Sequence, residues 1–450
     1  MIMFKDFLDF QNKMSKQNVA VLGIGISNTP LITMLSYCGA NITIRDKSKT
    51  LSPQIEDLIK KHNIKTVLGE NYLDNITEKY IFRSPGIMSS NEKLVEAVSN
   101  GAVLTSEMEV FFDICPAKII GITGSDGKTT TTTLIYEILK KAGYTCRLGG
   151  NIGNPLLPEI ENIKKDDVVI VELSSFQLMS MKKSPDVAVI TNLAPNHLDK
   201  HKDFDEYVEA KTNIFKHGAK KVVLNAENDI TNSFIDENSI TFSLKNPQKN
   251  GAYLKDDKIY FNSEYIMDKN DIILPGIHNV DNYLAAICAV SGLCDFSHVK
   301  SVAKSFGGVE HRIEFVKEVK GVRYFNDSIA SSPSRAIAGL NSFEQKIIII
   351  AGGSDKNIPF DGFAEEVIKK VKNIILMGET ALKIKSAIEN IDPNFPIINA
   401  ENLRDAVAKA YNIAKNGDVV MLCPACASFD FFKNFMERGE QFKEIVRELY

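Results

Sequence analysis

Residues Lys118–Thr130, with the sequence KIIGITGSDGKTT, predict the architecture of the chain around them. An apolar run enters a turn that contains Gly124 and Gly127, and apolar residues then recur at helical spacing from Leu134 to Ala142. This order predicts a strand, a phosphate-binding loop and a helix, because glycines let the backbone approach an anion that faces the first N–H groups of the helix. An ordinary glycine-rich turn remains the alternative.

The side chains of this loop suit a nucleoside triphosphate. Lys128 supplies a positive charge for the outer phosphates, and Thr129 supplies a hydroxyl for Mg²⁺. The loop has the pattern T-G-x-x-G-K-T, since Ile122 occupies the position at which the strict phosphate-loop motif has its first glycine. The predicted ligand is therefore a nucleotide, bound through a shortened form of the motif.

Length and composition predict a globular protein with small-molecule partners. The chain has 450 residues, of which 44% are hydrophobic, and a formal net charge of −4. This length has room for about three domains of roughly 150 residues each. The chain has no global basic field for nucleic acid or anionic lipid, and no apolar run of about 18 residues that would span a membrane. We expect a cytoplasmic location, with the seven cysteines as reduced thiols.

Glycine turns near the N-terminus predict a nucleotide or diphosphate pocket. The apolar strand in residues 19–27 runs into Gly23-x-Gly25, and a second strand ends at Asp46. This spacing is similar to the dinucleotide fingerprint, but the third glycine is missing, so the support for a nicotinamide cofactor is weak. Strands and helices continue to alternate through Ser84-Pro85-Gly86, which predicts a small α/β domain.

Functional side chains follow strands in the middle of the chain. Glu172 ends an apolar strand, and an acid there suits a Mg²⁺ site beside a phosphate loop because Mg²⁺ prefers oxygen ligands. His197 also follows a buried strand, at the end where α/β sheets gather ligands. Three alternatives stay open: Glu172 as a solvated charge, His197 as a structural residue, and Lys211, in a predicted helix, as a solvent-facing charge.

The last third of the chain repeats the pattern of a strand followed by glycine, hydroxyl or charged residues. The three junctions are Asn326-Asp327-Ser328, Gly352–Lys356 and Cys423–Asp430. Alternating strands and helices again predict a parallel sheet. Cys423 and Cys426 have the C-x-x-C spacing of redox or zinc sites, but no second Cys or His pair accompanies them.

Together these motifs resemble the Mur ligase family over nearly the whole chain. In chain order they are T-G-x-x-G-K-T, Gly-Gly-Asn-Ile-Gly from Gly149, Glu-Leu-Ser-Ser-Phe-Gln from Glu172, Asn-His-Leu-Asp from Asn196, Gly-x-His-Asn from Gly276, Glu-His-Arg from Glu310, Asn-Asp-Ser from Asn326 and Pro-Ala-Cys-Ala-Ser-Phe-Asp from Pro424. The compact length, the Gly23-x-Gly25 domain and the last motif resemble the members that add D-glutamate.

The resemblance implies an α/β fold with three domains. A Rossmann-like UDP-binding domain would span residues 1–106, a P-loop ATPase-like domain with a mostly parallel sheet 107–308, and a Rossmann-like amino-acid-binding domain 309–450. The implied activity is an ATP-dependent amide ligase that adds D-glutamate to UDP-N-acetylmuramoyl-L-alanine through an acyl phosphate, in cytoplasmic peptidoglycan precursor synthesis. A monomer without nucleic-acid or membrane partners is expected.

The resemblance also assigns residues to each substrate. Those implied to bind ATP are Gly124, Ser125, Asp126, Gly127, Lys128, Thr129, Thr130, Asn279, Arg312 and Asp327. Those implied to bind the UDP substrate are Ile26, Ser27, Asp46, Ser84, Gly86 and Asn151. Those implied to bind D-glutamate are Ser331, Lys356, Ser428 and Phe435. Two Mg²⁺ ions would be held by Thr129, Glu172, His197 and an N6-carboxylated Lys211, with Lys128, Glu172, His197 and Lys211 catalytic.

The chain departs from the family pattern in one loop and leaves other activities open. Ile329 stands where the family often has lysine after Asn-Asp-Ser, and Arg335 is a candidate replacement for that charge. Lys47 and Ser48 also differ from the residues expected beside the uracil. The alternatives are a sister ligase for another amino acid, a nucleotide-gated switch and a nicotinamide dehydrogenase. Phosphate release that depends on the amino-acid acceptor would distinguish them.

Overall fold

The computed structural model describes residues 4–25, 28–195, 200–356 and 358–450. Its three mostly parallel sheets confirm the predicted α/β fold class. The chain forms two compact units, one of which comprises the residues up to Lys269 together with Asp281–Val302. The other comprises Asn270–Val280 together with Ala303–Tyr450. Among the predicted site residues, Ile26, Ser27 and His197 lie outside the described residues.

The first sheet is entirely parallel. Its strands are β1 (Asn18–Leu22), β2 (Asn41–Asp46), β3 (Lys65–Leu68), β4 (Tyr80–Arg83) and β5 (Val103–Thr105), and its helices are α1 (Phe7–Met14), α2 (Asn28–Tyr37), α3 (Pro53–His62) and α4 (Glu92–Ser99). The strand order is β3-β2-β1-β4-β5. Alternate residues of β1 join different clusters of buried residues, so both faces of the strand are covered. The order reverses between β1 and β4, where such sheets bind ligands.

The second sheet places the glycine loop between two neighbouring strands. Its strands are β6 (Lys118–Thr123), β7 (Cys146–Gly150), β8 (Val168–Glu172), β9 (Val187–Ile190), β10 (Lys221–Asn225), β11 (Ile240–Ser243), β12 (Gly251–Lys255), β13 (Lys258–Phe261) and β14 (Glu264–Asp268). The order is β14-β13-β12-β11-β10-β9-β6-β8-β7, with antiparallel pairing only among β12, β13 and β14 in the described part of the sheet. The loop after β6 therefore lies between the carboxyl ends of β8 and β9.

The helices that follow the first sheet include the one predicted after the phosphate loop. They are α5 (Glu107–Ile114), α6 (Lys128–Lys141), α7 (Ser175–Leu178), α8 (Phe204–Lys216), α9 (Asp229–Asn232), α10 (Ile277–Val290) and α11 (Phe296–Ala303), with short 3₁₀ helices at Leu157–Asn162 and Lys269–Asp271. In the part of the chain that the structure describes, no helix has the length and apolar sequence needed to cross a membrane.

The first two sheets share one hydrophobic core. A single cluster of buried residues contains Val21 and Phe82 of the first sheet together with Leu173 and Ile190 beside the second. The helix α5 connects the two sheets, and the buried carboxylate of Glu107 accepts a hydrogen bond from the Leu157 backbone N–H at 2.8 Å. Because both sheets belong to one compact unit, the boundary predicted at residues 106 and 107 stays a prediction.

The third sheet belongs to the second unit. Its strands are β15 (Glu314–Val319), β16 (Val322–Asn326), β17 (Ile347–Ala351), β18 (Val371–Leu376), β19 (Ile397–Asn399) and β20 (Val419–Leu422), and its helices are α12 (Pro333–Leu340), α13 (Asp361–Lys370), α14 (Ala381–Glu389), α15 (Leu403–Ile413) and α16 (Phe435–Arg447). The order is β15-β16-β20-β17-β18-β19. Every residue of β17 is buried, and its isoleucines alternate between two core clusters. The loops after β16, β17 and β20 consequently meet at one edge.

Candidate active site

The loop between β6 and α6 requires glycine at two positions. Gly124 has φ +150°, and a Cβ atom there would lie 1.9 Å from the Thr191 hydroxyl oxygen. Gly127 has φ +76°, and its Cβ would lie 2.3 Å from Oδ1 of Asn282. A side chain at either position would therefore clash with a neighbouring residue in a backbone conformation that L-residues rarely adopt. The loop is packed closely against the end of β9 and against α10.

Replacing Gly124 by alanine should disrupt the loop. We expect nucleoside-triphosphate affinity to fall by more than about tenfold, because a strained residue costs about 1–3 kcal/mol before any clash is added. Titration calorimetry with ATP would measure the affinity, and thermal unfolding would measure stability. Gly143→Ala is the matched control, since Gly143 has φ +91° with no atom within 4 Å of its Cβ position. Equal ATP affinity in both variants would contradict the prediction.

Lys128 and Ser125 make different contacts from the same loop. The ammonium of Lys128 donates hydrogen bonds to the carbonyl oxygens of Gly124 at 2.9 Å and Ser125 at 2.8 Å. The Ser125 hydroxyl is within 2.9 Å of the Ala194 backbone and of the Tyr207 hydroxyl. The loop therefore holds the Lys128 ammonium against its own carbonyl oxygens, and Ser125 attaches the loop to the segment that follows β9.

Three strand ends bring Thr129, Asn151 and Glu172 together. Glu172 is 1% exposed, so the alternative of a solvated strand-end charge is wrong. Its Oε2 accepts a hydrogen bond from the Thr129 hydroxyl at 2.7 Å, and its Oε1 accepts one from the Asn151 amide at 2.8 Å. A hydroxyl and a carboxylate in contact are an oxygen donor set of the kind that Mg²⁺ takes. Asn151, which was predicted to contact the UDP substrate, lies at this acidic site.

Lys211 is buried against the phosphate loop. Its side chain is 2% exposed, so the alternative of a solvent-facing charge is wrong. The ammonium donates hydrogen bonds to the Gly124 carbonyl at 2.8 Å and to the Thr123 hydroxyl at 3.1 Å. Burial and, to a smaller extent, the charge of Lys128 lower the pKa of Lys211, Glu172 opposes both effects, and the resulting pKa is about 7. The amine can therefore be neutral near physiological pH.

Three of the residues predicted to bind UDP lie near the crevice between β1 and β4. The carboxylate of Asp46 accepts a hydrogen bond from the Ile24 backbone N–H at 2.6 Å, so it fixes the turn after β1. A Cβ on Gly23 would lie 3.0 Å from that of Ser84, which places the turn after β4 directly against it. Gly86 is exposed at the end of the same turn. The structure therefore brings Asp46, Ser84 and Gly86 to one location.

The second unit carries the remaining residues predicted to bind ATP. Arg312 is exposed, whereas Asp327 is buried and accepts a hydrogen bond from the Ile313 backbone N–H at 3.2 Å. Burial raises the pKa of Asp327 to about 7, although Ile313 and the charges of Arg312 and Arg335 lower it. The side chain of Asn279 donates a hydrogen bond to the Pro275 carbonyl at 2.7 Å.

The residues predicted to bind D-glutamate lie on loops at the edge of the third sheet. The backbone N–H of Ser354 donates to the Ala427 carbonyl at 3.0 Å, which joins the loop of Lys356 to the loop of Ser428. Ser428 is buried and Lys356 is exposed. The loop after β16, which contains Ser331, is joined to Phe435 because the Ser328 hydroxyl donates to the Phe435 carbonyl at 2.7 Å.

Two asparagines that contact the phosphate loop were missed by sequence reasoning. Oδ1 of Asn282 accepts a hydrogen bond from the Thr131 hydroxyl at 3.2 Å, and Oδ1 of Asn192 accepts one from the Asp126 backbone N–H at 3.0 Å. Asn282 follows Asn279 by three residues, so helical spacing could have indicated it. Asn192 carries no comparable local signal, because its role depends on the pairing of β6 with β9.

Family models and solved structures agree with this architecture. The model of the Mur ligase middle domain matches residues 122–290, and that of the Mur ligase glutamate ligase domain matches residues 311–426. The structure of UDP-N-acetylmuramate-alanine ligase from Thermotoga maritima has a TM-score of 0.58 at 19% identity, covering 96% of this chain and 99% of that chain. A pseudomurein peptide ligase type C from Methanothermus fervidus gives 0.52 at 22% identity, with the same coverage. These two structures support the fold.

Curated relatives are much more similar in sequence. The chain is 51% identical to the UDP-N-acetylmuramoylalanine--D-glutamate ligase of Acetivibrio thermocellus, with 98% of each chain covered. It is 50% identical to the ligase of the same name from Clostridium novyi, with 99% of this chain and 100% of the relative covered. The chain therefore belongs to the Mur ligase family.

Proposed function

We propose that this chain adds D-glutamate to UDP-N-acetylmuramoyl-L-alanine and converts ATP to ADP and phosphate. The names of its relatives support the substrates, and the family uses ATP. The observation that carries the proposal is the contact of the Thr129 hydroxyl with the buried Glu172 carboxylate at 2.7 Å, beside a glycine loop that also packs on Lys211. That arrangement combines a phosphate site with oxygen ligands for a cation.

The reaction joins two substrates through an activated carboxylate. The alanyl carboxylate attacks the γ-phosphorus of ATP, the bond to the β-phosphate oxygen breaks, and ADP leaves. The neutral amine of D-glutamate then attacks the acyl phosphate carbonyl, phosphate leaves with the bonding electrons, and the nitrogen loses a proton. No covalent bond to the protein is required, so the protein acts by orientation and charge stabilisation.

Lys128 and the first turn of α6 provide the positive charge for this step. The carboxylate and the triphosphate are both anions, and their repulsion has to be offset before they approach each other. Lys128 lies over the loop at hydrogen-bond distance from two carbonyls, and the N–H groups after Gly127 face the same side. We propose that the ammonium exchanges these carbonyls for the outer phosphate oxygens.

The acidic site fits Mg²⁺. Thr129 and Glu172 supply oxygen atoms in contact, and bound Mg²⁺ would neutralise phosphate charge there. An ammonium at Lys211 would repel a cation, whereas N6-carboxylation converts it to an oxygen ligand. The lowered pKa of Lys211, about 7, supports this modification because CO₂ reacts with the neutral amine. The use of two ions, with His197 as a further ligand, stays a proposal.

The remaining assignments are proposals of the same kind. We propose that Asp46, Ser84, Gly86 and Asn151 contact the UDP substrate, and that Lys356, Ser428, Phe435 and Ser331 contact D-glutamate. The roles of Asn279, Arg312 and Asp327 in ATP binding stay predictions. A cytoplasmic monomer that works without nucleic-acid or membrane partners also stays a prediction.

Acceptor-dependent phosphate release tests the proposed function. Purified protein with ATP, Mg²⁺ and UDP-N-acetylmuramoyl-L-alanine would be offered D-glutamate, L-glutamate, L-lysine or glycine in separate reactions. We expect phosphate release and a product heavier by one glutamyl residue only with D-glutamate. Release that does not depend on the acceptor, or a product with another amino acid, would contradict the proposal.

A further inference from the structure

Arg83 is a buried arginine that none of the motifs above explains. It is the last residue of β4, directly before the Ser84-Pro85-Gly86 turn, and only 2% of its surface is exposed. Burial lowers the pKa of its guanidinium, which the charge of Glu109 opposes. Removing an arginine from water raises the free energy of the folded state unless its N–H groups form hydrogen bonds with good geometry. Its contacts should therefore reveal a specific role.

The first contact of Arg83 stabilises the turn predicted to bind the UDP group. One terminal nitrogen donates a hydrogen bond to the Ile87 carbonyl at 3.0 Å. The Ile87 backbone N–H in turn donates to the Ser84 carbonyl, also at 3.0 Å. Arg83 is therefore hydrogen-bonded to the residue that ends the turn, and this contact helps to hold Ser84 and Gly86 in position.

The second set of contacts reaches the segment that follows Glu172. The other terminal nitrogen of Arg83 donates to the Ser180 hydroxyl at 2.6 Å and to the Phe176 carbonyl at 3.3 Å. These residues lie in and just after α7, which begins three residues after Glu172. The start of α7 is itself fixed by reciprocal hydrogen bonds between Ser174 and Gln177. A short path of hydrogen bonds therefore connects Arg83 to the segment that directly follows Glu172.

We propose that Arg83 is a positioning residue that sets the distance between the UDP-binding turn and the acidic site. This inference rests on the proposed function, in which the substrate is held at its UDP end and reacts at its alanyl carboxylate. The reaction rate depends steeply on how the reacting groups are placed, since a misplacement of about 1 Å can lower the rate by about 10²-fold. A planar guanidinium suits the task because its donors point in fixed directions to both segments, whereas a lysine ammonium is a single point charge.

The test distinguishes two effects of Arg83. One is the bridge formed by its contacts with Phe176 and Ser180, and the other is the stability of the turn, which depends on its contact with Ile87. Ser180→Ala removes the shortest contact across the bridge, together with the hydrogen bond between the Ser180 hydroxyl and Glu109, and we expect kcat to fall about 3- to 10-fold with KM for UDP-N-acetylmuramoyl-L-alanine within about twofold of wild type. Arg83→Met removes both sets of contacts, so kcat should fall at least about 30-fold and KM for that substrate should rise. KM for ATP should stay unchanged in both variants. Arg83→Lys should not rescue kcat.

A double-mutant cycle and two controls complete the experiment. Because the Ser180 contact is already lost in Arg83→Met, adding Ser180→Ala should not lower kcat further. Ser99→Ala, which removes an exposed hydrogen bond within α4, and Arg404→Met, which removes an exposed ion pair with Glu448, should match wild type. If Arg83→Met fails to fold, the kcat of Ser180→Ala alone decides whether Arg83 acts as a positioning residue.

Two different failures can be distinguished. A wild-type enzyme that makes no glutamyl product overturns the proposed function. An active wild type whose Ser180→Ala variant keeps full kcat, or whose two substitutions are additive, overturns the role of Arg83. A loss of activity that only follows the folded fraction, measured by circular dichroism, would also overturn it.

Discussion

Lys128→Ala is expected to lower kcat for ligation by at least about 10³-fold without unfolding the protein, because in the proposed mechanism the ammonium stabilises charge on the transferring phosphoryl group. The side chain is only half-buried, and its hydrogen bonds with Gly124 and Ser125 go to loop carbonyls rather than to the core. ADP release coupled to product formation would measure kcat, and thermal unfolding would measure stability. KM for ATP should rise as well, since the ammonium also contacts phosphate in the ground state.

Lys141→Ala is the matched control for this prediction. Lys141 lies at the other end of the same helix and is exposed, so its removal should leave kcat within about twofold of wild type. A Lys128→Ala enzyme that keeps more than a tenth of wild-type kcat would show that the loop N–H groups alone offset the phosphate charge. A large loss of thermal stability would show a structural role instead.

Lys211→Ala is expected to lower kcat by a similar factor of about 10³, because in the proposed N6-carboxylated form the side chain would supply an oxygen ligand and part of the charge balance of the acidic site. If the active form is N6-carboxylated, formate or acetate should restore part of the activity by occupying the space of the missing carboxylate. Lys216→Ala, on the same helix but exposed, should need no rescue. Absence of rescue at any carboxylate concentration would count against the modification.

The pH dependence of wild type provides an independent check on Lys211. Its pKa in the folded protein is lowered from 10.5 to about 7, so the ammonium predominates below pH 7 and the neutral amine above it. Only the neutral amine reacts with CO₂. We therefore expect bicarbonate to stimulate CO₂-depleted enzyme above pH 7 and to lose this effect as the pH falls below 7. Stimulation that grows towards acidic pH would contradict the assignment.

Local sequence patterns were sufficient to predict where the functional loops lie. The glycine loop, Glu172 and the Asn-Asp-Ser junction each follow an apolar strand, and within each sheet the parallel strands bring their own carboxyl ends to one edge. Local patterns could not predict which charges are buried. Lys211 contacts Gly124, which lies 87 residues earlier, and Arg83 contacts Ser180, which lies 97 residues later. Such contacts depend on the tertiary arrangement, so Lys211 resembled an ordinary surface charge in the sequence.

The contact of Asn151 with Glu172 has the same origin. The family resemblance predicts that Asn151 contacts the UDP substrate, which stays a prediction, and the structure adds a hydrogen bond from its amide to Glu172 at 2.8 Å. The register of β7 against β8 pairs Gly150 with Glu172 and so delivers the next residue to the carboxylate. Strand register is set by packing over the whole sheet, which a motif of five residues does not encode.

The hydrophobic core common to the first two sheets limits how ligases of this type can be recombined. A fragment cut before Glu107 would leave Phe111 and Phe112 without the apolar neighbours that Val21 and Phe82 help to provide. Chimeric enzymes that exchange only the N-terminal hundred residues should therefore aggregate unless both sides of that core come from the same parent. Recombination that keeps the whole first unit from one parent preserves the core and leaves the later segment free to vary.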